Sequence, residues 1–96
     1  MSHADPVEPA PRQTPTTPDK VDLKFTASES GPIQVSFEPI GTFFVLEPDE
    51  SIYLRTPIGT LDSLQVVWWT GGIEVWVDHP GDHTVLDENG TELDTL

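Results

Sequence analysis

Ninety-six residues leave room for one domain, and 17 Asp and Glu against 4 Lys and Arg give a formal net charge of -13. So few cations cannot neutralise a row of phosphates, which argues against direct nucleic-acid binding and against adsorption to an anionic membrane. The absence of cysteine excludes disulfides, thiolate metal ligands and cysteine nucleophiles together. No basic-then-apolar leader and no apolar run of ~18 to 20 residues is visible, so the expected setting is the cytoplasm.

From Met1 to Lys20 the prolines fall at positions 6, 9, 11, 15 and 18, among Thr, Asp, Glu, Gln and Ala, and Val7 is the one sizeable aliphatic after the initiator. Such a stretch has no apolar burial to offset the entropy of ordering, so residues 1–20 read as a disordered Pro/Thr-rich tail. Pro15-Thr16-Thr17-Pro18 meets the spacing of an SH3-type ligand or a phosphorylatable segment, but a plain spacer is the expected role.

From Val21 onward the texture changes to short runs of Val, Ile, Phe, Trp and Thr, punctuated by Gly, Pro, Asn and Asp. The pattern predicts an all-β domain over 21–96, with strands near 22–27, 33–37, 42–46, 51–55, 63–70, 73–78, 83–87 and 91–93. The prolines at 32, 39, 48, 57 and 80 fall between these runs, where a missing amide donor does no harm. No stretch holds a helical apolar period for three turns. In the first half, Phe25, Ile33, Val35, Phe37, Phe43, Val45, Ile52 and Leu54 alternate with polar residues and are expected to form one buried layer. The run from Phe44 to Ile52 resembles the Leu-x-Pro-Gly-Glu-Ser turn common in immunoglobulin-like sandwiches, with Asp49 where glycine is usual. The expected architecture is a compact antiparallel two-sheet sandwich, immunoglobulin-like or jelly-roll-like, with a small open barrel as the alternative.

The second half is punctuated by three turn signals. Gly71-Gly72 suits a two-residue hairpin, His79-Pro80-Gly81-Asp82 a type II turn, and Asn89-Gly90 a second tight hairpin. Together they predict a four-stranded antiparallel meander from Ser63 to about Leu93. With Thr70 facing Ile73 and Asp78 facing His83, one face holds Val66, Trp68, Ile73, Val75, Val77, Thr84 and Leu86. That face is expected in the core, Trp68 included. The other holds Val67, Trp69, Glu74, Trp76, Asp78, His83, Val85 and Asp87, two indoles mixed with acids.

The candidates for chemistry are few. Asp78-His79-Pro80-Gly81-Asp82-His83 carries two imidazoles and two carboxylates within six residues, enough to begin a zinc site, but the turn explains Asp78 and His83 as a cross-strand ion pair. Asp87-Glu88-Asn89-Gly90-Thr91-Glu92 lacks the length and flanking helices of a calcium loop. No serine stands in Gly-x-Ser-x-Gly, and no glycine loop for phosphate is present. Paired carboxylates such as Asp49 and Glu50 are expected on exposed turns, where nothing desolvates them into a useful range. The expectation is no enzyme, no cofactor and no resident metal.

Charge is more informative. Residues 1–20 carry a net -1, which leaves -12 on the β domain, and from Thr56 to the end eight acids face no Lys or Arg. Such a field serves solubility or steers toward a basic protein. The leading expectation is a small binding protein, of the inhibitor, immunity or accessory-subunit type, that engages a cationic protein through Trp69, Trp76, Glu74, Asp78 and Asp87. The alternatives are recognition of a carbohydrate or other small ligand by exposed Trp69 and Trp76, and a structural or decoration subunit whose open sheet edges pair with copies or neighbours.

Overall fold

In a computed structural model the described residues are 19–96, so the expected tail lies outside them save for its last two positions. The strands are β1 Lys20–Thr26, β2 Ile33–Glu38, β3 Thr42–Leu46, β4 Ser51–Pro57, β5 Gln65–Trp69, β6 Gly72–Trp76, β7 Thr84–Asp87 and β8 Glu92–Thr95, with a 3-10 helix Ile58–Ser63 before β5. Each falls on one of the eight expected runs. The strands form two separate four-stranded sheets, β1-β4-β7-β8 (sheet I) and β3-β2-β6-β5 (sheet II), which is a sandwich and not a barrel. All pairs are antiparallel except β2 with β6. Among the described residues no helix is long and apolar enough to cross a membrane.

The core lies between the sheets and is built by alternation. Register sets Ile33 opposite Leu46 and Val35 opposite Phe44 in sheet II, with Val35 beside Ile73 and Phe37 beside Val75. Sheet I answers with Phe25 opposite Ile52, Leu23 opposite Leu54, and Leu54 opposite Val85. Phe37 is fully buried at the centre, edge-on to Phe25 and to Phe44 with ring centroids 6.2 Å apart in each case. That burial, at about 25 cal/mol per Å² of apolar surface, is the main force holding two sheets without a crosslink.

The turns follow from their residues. Glu47-Pro48-Asp49-Glu50 closes with Glu50 N–H donating to the Glu47 carbonyl at 2.9 Å, Pro48 in second place and Asp49 at φ 67 in third. A type II turn requires that positive φ, and aspartate tolerates it better than bulkier residues do. The β7–β8 hairpin is not the expected two-residue Asn-Gly turn. Only Gly90 has positive φ, Gly90 N–H donates to the Asp87 carbonyl, and Asp87 N–H to that of Thr91, as in a type I turn followed by a glycine bulge.

Four further expectations are corrected. The meander does not form, because β6 and β7 belong to different sheets and the 77–83 segment crosses between them. The His79–Pro80 bond is cis and Gly81 does not take positive φ, so the expected type II turn is absent. The layers also do not divide by halves of the chain, since each sheet takes strands from both. Finally, β3 has the opposite phase to the one expected: Phe44 and Leu46 point inward, while Phe43 and Val45 are more than half exposed on the outer face.

Candidate functional site

The outer face of sheet II is the unusual surface of the molecule. The ladder registers lay it out as three rows across β3, β2, β6 and β5. Val45, Gln34, Gly72 and Trp69 form the first row, and Phe43, Ser36, Glu74 and Val67 the second. Glu38, Trp76 and Gln65 complete the third. Phe43, Val45, Val67, Trp69 and Trp76 are all exposed, flanking a central polar stripe of Gln34, Ser36, Glu38 and Glu74. Sheet II contains no Lys or Arg.

Two local devices set the indoles. Trp69 lies over the glycine pair that follows it. A Cβ on Gly72 would collide with the Gln34 carbonyl and sit 2.9 Å from Trp69 Cζ2, and one on Gly71 would be 3.4 Å from Trp69 Cζ3. The loop is Thr70-Gly71, with Gly71 at φ 100 and Trp69 paired to Gly72, two residues off the expected pairing. An offset of two keeps every side chain on its expected side, because side chains alternate with period two. Trp69, Glu74 and Trp76 therefore do share one face. Trp76 Nε1–H donates to Glu74 Oε1 at 3.2 Å, which orients the carboxylate beside the ring.

The other expected site residues lie elsewhere. Asp78 sits in the crossing segment just past Trp76, where its Oδ1 accepts from Ser63 Oγ at 3.1 Å. Asp87 is in sheet I, and its Oδ1 accepts from the Asn89 and Thr91 amides at 2.8 and 2.9 Å, a turn-forming role. The expected Asp78–His83 ion pair is replaced by a different bond. His83 is fully buried, with Nε2 donating to the Asp78 main-chain carbonyl at 2.5 Å and Nδ1 2.8 Å from Thr56 Oγ1. A carbonyl only accepts, so Nε2 carries the proton. Gly81 is required there, since a Cβ would collide with the imidazole. Among the described residues no three His, Asp or Glu side chains are placed to hold a metal ion.

Trp68 contradicts its expected place in the core. Its side chain is on the inward side of sheet II, as the parity argument requires, yet it is 80% exposed. The reason is position in the sheet: β5 is the outermost strand, every one of its residues is exposed, and sheet I does not extend over it. Where the two sheets part, Phe25, Ile33, Val66, Trp68 and Ile73, with Lys24 and Thr26 at the rim, line an open apolar cleft of about 410 Å³.

Sequence reasoning missed Phe43 and Val45 as surface residues, together with the polar stripe on β2, and it placed Val67 on the mixed face without counting it in the site. A signal was available. Thr42-Phe43-Phe44-Val45-Leu46 is apolar on both faces, and in a two-layer fold one of those faces must meet solvent or a partner. The scan of protein-family models, the search of curated proteins and the search of solved structures each found no match to this chain.

Proposed function

We propose that the chain is a non-catalytic binding protein whose sheet II outer face docks on a cationic protein, as an inhibitor, immunity factor or accessory subunit does. The observation that carries this reading is the set of five exposed large apolar residues around Glu38 and Glu74 on one sheet face without a cation. Isolated exposed apolar residues are ordinary, but five on one sheet face, on either side of a polar stripe, point to an interaction surface. Tryptophan supplies a large contact area at low entropy cost, and an arginine laid over Trp76 meets the Glu74 carboxylate next to the ring. The net charge of -13 steers a basic partner toward the molecule before contact.

The test compares three immobilised proteins for retention of the same basic partner. Wild type and Glu47→Gln/Glu50→Gln, altered only at an exposed turn, should hold it equally, and Trp69→Ala/Trp76→Ala should release it. Retention should fall steeply as salt rises. Equal retention by the double tryptophan variant, or indifference to salt, rejects the reading.

One observation favours a second reading, recognition of a carbohydrate. Trp69 is held against glycine backbone on one side, 46% exposed, with Gln34 in its own row and Glu74 in the next. A stacking ring beside hydrogen-bonding groups suits a sugar. A salt-independent shift of indole fluorescence on adding soluble glycans, abolished by Trp69→Ala, would establish it in place of the protein partner.

A further inference from the structure

Among the described residues no strand pairs with the outer hydrogen-bonding edge of β5. The strand is last in the order β3-β2-β6-β5, and all of Gln65–Trp69 is exposed. In a two-residue hairpin the residues flanking the loop form a hydrogen-bonded pair, here Trp69 with Gly72, and the pattern then alternates along the strand. Trp69, Val67 and Gln65 thus spend their backbone groups on β6. Val66 and Trp68 present N–H and C=O outward, away from the sheet.

Natural edge strands are usually guarded by lysine, proline, an inward charge or a bulge. Gln65–Trp69 has none of these. It lies within the run 63–73, eleven residues without a single charge in a chain of net charge -13. The backbone edge of that strip offers a cationic partner no charge to pair with. Two copies of this chain do gain from it, because it is a place where they can approach closely without bringing carboxylates together.

We propose that β5 is the seam of a homodimer, in which two copies pair this strand antiparallel about a two-fold axis at Val67. The register follows from which groups point outward. Val66 of each copy forms a hydrogen-bonded pair with Trp68 of the other, and Val67 meets its own counterpart on the axis. The contact is self-complementary in size as well, since the small Val66 lies opposite the large Trp68. On the inner side the two Val66 and two Trp68 side chains form one apolar cluster. That cluster closes the mouths of both clefts over Phe25 and Ile73. The two four-stranded sheets II become one continuous eight-stranded sheet.

The salt dependence has the opposite sign to that of partner docking. Copies of like charge repel at a distance, so added salt should strengthen the dimer while it weakens binding of a basic protein. Sedimentation velocity of the full-length chain from micromolar to millimolar concentration should show a monomer–dimer equilibrium that shifts toward dimer with salt. Val66→Pro removes an outward donor and leaves the bonds to β6 intact, so the monomer should fold while self-association weakens by at least about 30-fold. Trp68→Lys should weaken it as much, although the added positive charge lowers the repulsion between copies. Phe43→Ala, on the opposite edge strand β3, should change nothing. A monomer at every concentration overturns the proposal. So does a dimer that survives both Val66→Pro and Trp68→Lys, or one that depends on Phe43.

Discussion

Gly72 has no room for a side chain, because its neighbours are the Gln34 carbonyl on β2 and the Trp69 ring on β5. A flexible side chain could give way, but a backbone oxygen in a ladder cannot. Gly72→Ala is therefore expected to cost about 1 to 3 kcal/mol, as overpacking does, and to push Trp69 off the sheet. Denaturant unfolding would read the first effect, and a red-shifted, more quenchable indole emission the second. Trp68 and Phe37 make the complementary pair. Phe37 is fully buried between two other rings, so Phe37→Ala should cost ~3 to 5 kcal/mol. Trp68 is 80% exposed, and at concentrations where the chain is monomeric Trp68→Ala should cost less than about 1 kcal/mol. A large loss from Trp68→Ala under those conditions would mean that the cleft closes over this residue in solution.

At the scale of elements, the crossing between β6 and β7 is tied down on both sides. His83 bonds Thr56 and the Asp78 carbonyl, and Lys20 Nζ at the start of β1 pairs with Asp82 Oδ2 at 2.6 Å. The hydrogen bond from Lys20, aided by its charge, holds the Asp82 carboxyl below the ordinary carboxylate value. A carboxyl depressed in the folded state stabilises above its unfolded-state value and loses that contribution as pH falls through the folded one. The stability gap between wild type and Asp82→Asn should thus be present at neutral pH and close in acid. Carboxyl-carbon NMR of Lys20→Met should show the Asp82 midpoint moving up. The same segment shows how far the sequence could be read. All eight strands were legible, because β-branched and aromatic runs bounded by Pro and Gly define where a chain is extended. Their pairing was not: Pro80-Gly81 announces a turn without saying whether the chain returns in its own sheet or passes to the other. The shared face of Trp69, Glu74 and Trp76 was legible because parity alone decides it, and the placing of Asp87 beside them was lost because it rested on the meander. In β3 alternation could not choose a side, because both sides are apolar.

For the whole molecule the dominant electrostatic term is self-repulsion. The chain has a net charge of -13, and the described ion pairs include Lys20 with Asp82 and Arg55 with Asp22. The second is a side-on fork, with Arg55 Nε and Nη2 donating to the two Asp22 oxygens at 2.8 and 3.0 Å. Salt screens attraction and repulsion alike, but repulsion among many exposed carboxylates outnumbers these pairs. Moderate sodium chloride should therefore stabilise the monomer. A gain of about 1 kcal/mol would raise the melting temperature by roughly 4 to 8 °C in a domain of this size, measured at low protein concentration and neutral pH. A melting temperature that falls on adding salt would show that the ion pairs dominate.

Among the described residues the cations, Lys20, Lys24 and Arg55, all lie in sheet I, and this has a practical corollary. Lys20 and Lys24 are the chain's two lysines, and both lie on β1, in the sheet remote from the indole-bearing face. A reagent that attaches through lysine amines will anchor the molecule by sheet I. The face of Trp69 and Trp76 is then turned toward the solution, so a biosensor surface prepared by lysine coupling displays it with a preferred orientation. A positively charged adsorbent grips the carboxylates instead and leaves that display random. Comparing the binding capacity of the two surfaces for one ligand would locate its contact without a single substitution.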